Sequence, residues 1–284
     1  MKLGISSYAL HPYMGRHNCD IFAAIKAAKS LGYTQVEFIS TYAPEGVSPS
    51  DHAKTLRDFC ADENMEITAY TIGADFLAEG EDDRLIGELE IAKILGAPLM
   101  RHDVSNGFSD RIRKCTYDDL IPIATPKIRR VTDHAKEMGI KTMTENHGFF
   151  SQDSCRVEKL INAVNSENFG ALIDMGNFLC ADEEPAKAVA RMAPYAFHVH
   201  IKDFLFKPGT EPSPGNGWIC SRAGNWLRGT IVGHGAVPVL QCLRILKSKG
   251  YTGNYSLEFE GLEDCYTAME LTKAYLDRHE NMTS

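Results

Sequence analysis

No apolar run in this chain approaches the ~20 residues that cross a bilayer. No leader-like apolar core follows Met1 either; Met1-Lys2-Leu3-Gly4-Ile5-Ser6-Ser7 runs directly into a strand pattern. Neither GxGxxG nor GxxxxGK(S/T) follows any strand pattern, which removes the signature of a nucleotide-binding open sheet. CxxC is missing too. The eight cysteines, at 19, 60, 115, 155, 180, 220, 242 and 265, are dispersed, as expected for reduced thiols rather than a disulfide frame or a zinc knuckle. Positive charge is scarce: 30 Lys and Arg against 38 Asp and Glu leave a net charge of −8. That is the wrong sign for a chain whose main partner is nucleic acid. These absences lead us to expect a cytoplasmic protein with neither a membrane nor a nucleic-acid partner. No linker or low-complexity tract divides the sequence, so one domain is expected over residues 1–284.

What the chain does have is a polar row inside a strand. In Phe197-His198-Val199-His200-Ile201-Lys202-Asp203, period-two alternation puts His198, His200 and Lys202 on one face and Val199 and Ile201 on the other. A buried strand tolerates such a row only when partners meet it. Two satisfied core histidines would explain it as well as a metal site, until three more stretches are considered. Thr144-Glu145-Asn146-His147-Gly148, Leu172-Ile173-Asp174-Met175-Gly176 and Ser256-Leu257-Glu258-Phe259-Glu260 each place a carboxylate near the end of a strand pattern. Glu145, Asp174, His200 and Glu258 are separated by 29, 26 and 58 residues. A strand, a helix and two turns take ~30 residues. The first three therefore fall at matching levels on consecutive parallel strands, with Glu258 on the next strand after an insertion. Three carboxylates and one imidazole converging there suit a hard or borderline divalent ion.

The rest of the sequence alternates accordingly. Strand patterns cover 3–8, 35–40, 66–71, 98–102, 140–145, 169–174, 196–202 and 255–260. Helical patterns cover 20–31, 49–64, 82–95, 117–138, 155–165, 185–192, 238–249 and 264–279. Pro122 and Pro126 are expected to break or kink the fourth helix early. Residues 204–237 show no clear element, and a stretch that long usually has a functional role. Eight alternations predict an α/β fold, a single (β/α)₈ TIM barrel, over a doubly wound sheet.

With those stretches in order, the chain resembles the xylose-isomerase-like TIM-barrel superfamily, and most of all its sugar phosphate isomerase/epimerase group. That group includes ketose 3-epimerases and inosose dehydratases. The resemblance rests on His198-Val199-His200-Ile201-Lys202-Asp203, on Gly233-His234-Gly235 and on Gly253-Asn254-Tyr255-Ser256-Leu257-Glu258. It implies a divalent ion, Mn²⁺ first with Mg²⁺, Co²⁺ or Zn²⁺ as alternatives, on Glu145, Asp174, His200 and Glu258. It also implies that Glu145 and Glu258 exchange protons with the carbon beside a substrate carbonyl, so that the protein is an isomerase or epimerase acting on a small carbohydrate. A lyase or dehydratase working through the same enediolate is the second expectation. Two positions depart from the ketose epimerases. Asn177 stands where they carry a His, and Phe204-Leu205-Phe206 covers the place of an Arg. Arg222 and Arg228, from the long insertion, are the candidates to replace that Arg.

Other residues have two readings each. His147 is a general acid/base or a loop cap. Lys202 is read as facing substrate or supporting the ligands, and His198 as a core or supporting residue. Glu37 either lines the pocket or is a satisfied structural carboxylate. Glu260 is read as support for Glu258. His102 and Asp103 form a weaker candidate second metal site. Trp218 and Trp226 either stack on a sugar or contact another subunit, and homo-oligomerisation is left open. A nuclease resembling the apurinic-site endonucleases, or a non-catalytic binding subunit, are minority readings.

Overall fold

The computed structural model describes residues 2–108 and 115–282. Residues 109–114, part of the polar loop expected after the fourth strand, lie outside the described residues. In chain order the strands are β1 (Leu3–Ser6), β2 (Gln35–Phe38), β3 (Glu66–Ile72), β4 (Leu99–His102), β5 (Lys141–Glu145), β6 (Phe169–Asp174), β7 (Ala196–Ile201), β8 (Asp203–Lys207), β9 (Ile219–Cys220), β10 (Trp226–Thr230) and β11 (Asn254–Leu257). Strands β1 to β7 and β11 pair in parallel and close into a barrel in the order β1-β11-β7-β6-β5-β4-β3-β2. Around it lie α1 (Ser7–His17), α2 (Ile21–Ser30), α3 (Pro49–Asp62), α4 (Glu81–Leu95), α5 (Tyr117–Glu137), α6 (Ser154–Val164), α7 (Pro185–Met192), α8 (Val239–Ser248) and α9 (Cys265–Arg278). This is the expected (β/α)₈ barrel.

Local chemistry sets the element boundaries. Asp20 accepts from the Ala23 amide at 2.9 Å and Asp264 from the Thr267 amide at 2.9 Å, capping α2 and α9. Gly96 ends α4 at φ +76°, a conformation that favours glycine. Along β7, Val199 and Ile201 enter the apolar layer between barrel and helices. Burying such side chains contributes roughly 1.5–3 kcal/mol each, and that burial fixes which face His198 and His200 take. They point into the barrel, where neither is more than 2% exposed.

Strand pairing places the site residues in a rising stagger. Asp174 registers with His200, as expected. Glu145 registers with Leu172, and Ser256 with His200, so Glu145 starts one pleat lower and Glu258 one pleat higher than the central pair. Tilted strands in a closed barrel require such a stagger.

Three expectations differ from the structure. The first strand stops at Ser6, and α1 begins at once, with Ser6 accepting from the Tyr8 amide at 3.3 Å. Helix α5 runs through Pro122 and Pro126 without a break. Residues 204–237 are not bare loop: β8, β10 and β9 form an antiparallel sheet in that order.

One carboxylate fastens the base of this insertion to the barrel. Asp203 follows β7 and accepts from the backbone amides of Gly233 at 2.9 Å, Gly235 at 2.9 Å and Val237 at 3.0 Å. A Cβ on Gly235 would collide with Asp203 Oδ1 and the Phe204 carbonyl, so glycine is required there. Replacing Asp203 with Ala would strand these three backbone donors and the Phe204 amide, which donates to Oδ1 at 2.9 Å. We expect a loss of about 3 kcal/mol or more, read as a lower urea midpoint at unchanged m-value.

Candidate metal centre

The rising stagger brings four side chains to one point at the C-terminal mouth of the barrel. Ligand atoms of Glu145, Asp174, His200 and Glu258 all lie within 4.8 Å of one another. His200 Nδ1 is 3.7 Å from Glu145 Oε1, 3.7 Å from Asp174 Oδ2 and 3.6 Å from Glu258 Oε2. His200 Nδ1 and Asp174 Oδ2 are buried and have no hydrogen-bond partner. Leaving such atoms bare is unfavourable unless a cation meets them. A donor set of three carboxylate oxygens and one imidazole nitrogen fits a divalent cation.

Each of these side chains is held from behind. Asp174 Oδ1 accepts from the amides of Gly176 and Asn177, both at 2.8 Å, which leaves Oδ2 for the centre. Asn146 brackets the Asp174 backbone, donating to its carbonyl and accepting from its amide, both at 2.9 Å. Asn177 donates to Glu145 Oε1 at 3.0 Å and accepts from Lys202 Nζ at 3.2 Å. Lys202 also donates to Glu258 Oε2 at 2.8 Å and lies 3.4 Å from Glu260 Oε1.

A cavity of about 270 Å³ opens onto the cluster. Glu145, His200 and Glu258 line it, as do His147, Lys202, Glu260, Tyr8 from α1, and Arg101 from β4. Arg101 was not anticipated. Its Nη2 is 2.6 Å from Glu145 Oε2 and 2.7 Å from Asp103 Oδ1, and Nη1 donates to the Ile72 carbonyl at 3.1 Å. The sequence held a signal for it. Period-two alternation puts Leu99 and Arg101 on one face of β4, with Asp103 just beyond it at the same parity, so Arg101 is the inward residue nearest the barrel mouth.

The remaining sequence candidates separate clearly. His147 Nδ1 lies 2.9 Å from Asp103 Oδ1 and its ring lines the cavity. Glu37 does not line the cavity. It is fully enclosed, between His198 Nε2 and His200 Nε2, at 2.7 Å from each. Arg222 does not reach the cavity either. It pairs with Asp153 at 2.9 Å and donates to the Phe149 carbonyl, tying the β9–β10 turn to the loop after β5. Arg228 pairs with Glu263 at 3.2 Å and lies over the Trp218 ring. Trp226 donates to the Glu211 carbonyl at 3.0 Å, and neither tryptophan lines the cavity. His102 faces away from the barrel interior, between Phe76 and Phe169, and burial lowers its pKa to about 4. No ligand cluster forms around it among the described residues.

The charges follow from these contacts. Burial pushes the Glu145 carboxyl up, but Arg101 and His200 outweigh it and hold the group below the ordinary carboxylate range. Burial acts on Glu258 likewise, and Lys202 with His200 brings it well below that range. Asp174 has weaker compensation and is pushed up to about 6 by burial. Burial pushes His200 down, yet Glu37 and Glu258 raise it well above its usual range. The cluster as a whole demands positive charge.

A family model for the xylose isomerase-like TIM barrel matches residues 25–278. The chain belongs to this family. Among curated proteins it is similar to a 3-oxo-isoapionate decarboxylase of Pectobacterium atrosepticum, 23% identical over 210 residues, covering 72% of this chain and 70% of that one. Among solved structures it is similar to the IOLI protein with a bound zinc atom, with a TM-score of 0.75 and 17% identity over 99% of each chain. It is also similar to D-psicose 3-epimerase from Clostridium cellulolyticum with D-tagatose, with a TM-score of 0.72 and 13% identity over 100% of each chain. At such identities the structural likenesses speak for the xylose isomerase-like fold.

Arg101→Met would leave the buried Glu145 carboxylate without its cation. Breaking a buried pair from one side destabilises by about 3–5 kcal/mol. The sign with pH follows. Glu145 unpaired has a folded pKa above its unfolded value, so the penalty grows as pH rises past the unfolded value. We expect the variant's deficit in unfolding free energy to be larger at pH 8 than at pH 5.

Proposed function

We propose that this protein is a divalent-metal-dependent enzyme acting on a keto-sugar or keto-polyol through an enediolate, as an isomerase or epimerase. The carrying observation is the convergence of four ligand atoms at the floor of the cavity, beside a carboxylate with one oxygen free. Glu145, Asp174, His200 and Glu258 would hold the cation, with Mn²⁺ the first expectation and Mg²⁺, Co²⁺ or Zn²⁺ the alternatives. When bound, such an ion supplies Lewis-acid stabilisation of the charge that develops on the substrate's carbonyl and adjacent hydroxyl oxygens.

The protein groups then divide the work. Lys202 occupies Glu258 Oε2, while Oε1 accepts no hydrogen bond among the described residues. Glu258 is therefore the proton-transfer group we assign, taking a proton from the carbon beside the carbonyl and returning it to that carbon or its neighbour. Glu145 is less accessible to a substrate proton here, because both its oxygens are engaged: Arg101 holds Oε2 and Asn177 donates to Oε1. His147 is the second proton carrier we assign. Asp103 fixes its Nδ1 side, leaving Nε2 without a protein partner among the described residues. Lys202 and Asn177 keep Glu258 and Glu145 apart and oriented. The family match and the D-psicose 3-epimerase likeness support this reading.

One observation favours a lyase as the second reading. With Glu145 paired to Arg101, two matched carboxylate bases are not at hand, and a lyase needs at most one. The similarity to a 3-oxo-isoapionate decarboxylase points the same way.

The deciding experiment incubates ketoses, inososes, 3-keto-glycosides and 3-oxo sugar acids with the Mn²⁺-loaded protein in D₂O. Proton NMR showing deuterium in an epimeric or aldose product supports isomerase or epimerase. Release of water, an aglycone or carbon dioxide supports the lyase. Full metal occupancy with no exchange or release across the panel would sink both.

Elemental analysis of protein purified without chelator should find about one divalent ion per chain, and His200→Ala should lose it. Glu258→Gln keeps an oxygen ligand but cannot accept a proton, so turnover should fall by about 10²-fold or more. Metal and protons compete for Asp174. Affinity, followed by thermal shift, should therefore weaken as pH falls through about 6.

A further inference from the structure

His198 and His200 leave β7 on the same face, and one carboxylate serves both. Glu37 Oε2 lies 2.7 Å from His198 Nε2, and Oε1 lies 2.7 Å from His200 Nε2. An ionised carboxylate can only accept, so each imidazole must carry its proton on Nε2. With a cation at the centre the ring is neutral, and that tautomer then turns a lone pair outward at Nδ1. On His200, Nδ1 is the atom that faces Glu145, Asp174 and Glu258 and has no hydrogen-bond partner. On His198, Nε2 also lies 3.0 Å from Ser256 Oγ, which fixes that ring from a second side. Glu37 is 0% exposed, so substrate does not reach it. Its strand is registered against Ser6 of β1 and Ala69 of β3, which fixes its backbone from both sides.

Building on the metal-centre reading above, we infer that Glu37 is a positioning residue for that centre. Its carboxylate sets the tautomer and orientation of His200, and His198 anchors the carboxylate's other oxygen. The two histidines of the H-x-H pair thus have unequal duties, one as ligand and one as anchor. An imidazole that donates its second N–H to a carboxylate is both oriented and made a stronger ligand. The rival assignment is a cation bound by Glu37, His198 and His200 themselves, whose ligand atoms also lie within 4.8 Å of one another. The 2.7 Å separations are those of charge-assisted hydrogen bonds, already made, with no gap between the partners for an ion.

The test uses Glu37→Gln, which keeps size and shape. A carboxamide offers one acceptor and one donor group, so only one ring can keep its Nε2–H donation. The other must accept at Nε2 and move its proton to Nδ1. Zinc affinity is measured by chelator competition on the full chain, with folding checked by circular dichroism. Wild type is expected to bind one equivalent, and Glu37→Gln to bind about 10- to 100-fold more weakly. In ¹⁵N-histidine NMR of the zinc-loaded wild type, His200 should be metal-bound at Nδ1 and carry an exchange-protected proton at Nε2. In the variant one of the two rings, His198 or His200, should lose its protected Nε2 proton. If Glu37→Gln does not fold, His198→Asn, which removes only the anchor, should still weaken zinc binding several-fold. Equal affinity in the folded variants, zinc on His200 Nε2, or a second zinc equivalent in wild type would overturn this inference alone. No zinc binding by wild type would overturn the metal-centre reading and this inference with it.

Discussion

Three carboxylates crowd one imidazole at the mouth of the barrel, and that crowding is the constraint around which the other polar residues are arranged. Like charges so close and so buried repel strongly, and the low-dielectric surroundings amplify the repulsion. The chain answers with cations placed one shell out. Arg101 takes the outer oxygen of Glu145, and Lys202 takes one oxygen of Glu258. Asp174 Oδ2 meets Lys202 only at 3.7 Å, and Oδ1 is pinned by backbone amides. Oδ2 is left facing the centre. The result is a site that is partly neutralised and wants one more positive charge at a defined point.

Much of this was legible from residue order. The polar row His198, His200 and Lys202 declared its face because Val199 and Ile201 are apolar at the alternate positions. Spacings near 30 residues located Glu145, Asp174 and His200 on neighbouring strands, because one βα unit has a nearly fixed length. In the sequence Arg101 is masked by the acid–imidazole pair His102-Asp103 beside it, although strand parity puts Arg101 and His102 on opposite faces. Arg222 was drawn toward the site by the need for a cation, yet it belongs to an insertion whose fold has no periodic signal. Strand β9 has two residues and β8 and β10 five each, too short to stand out among glycines and prolines. Helix α1 carries Pro12, Gly15 and no sustained apolar stripe, so its contribution of Tyr8 to the cavity was hidden too. The unbroken course of α5 through two prolines shows packing overriding local preference: Leu120, Ala124, Ile128 and Val131 remain buried along it.

Similarity to other members of the family bears unequally on the two halves of the site. The ligand geometry is set by barrel register, which changes little while the fold persists. The cavity wall is set by single side chains such as Arg101, His147 and Glu260 at strand ends and in the loops beyond them. Function within a shared barrel is decided at such positions. Here the wall pairs one ligand carboxylate with a guanidinium. That single contact makes the surroundings of Glu145 unlike those of Glu258, which Lys202 meets instead.

Asp203 has a consequence for how this molecule can vary. It follows Lys202 directly, and its three cross-chain amide contacts tie 233–237 to the end of β7. The three-stranded sheet between those points is held at its base by Asp203 and at its β9–β10 turn by Asp182, which accepts from Ser221 at 2.6 Å and from Asn225 at 2.8 Å. In the connection between β8 and β9, Gly209 donates to Asn225 Oδ1 and the Glu211 carbonyl accepts from Trp226, both inside the insertion, so a change there is absorbed before it reaches His200 or Lys202. Selection can therefore rework the outer rim of the barrel while the ligand row stays in register.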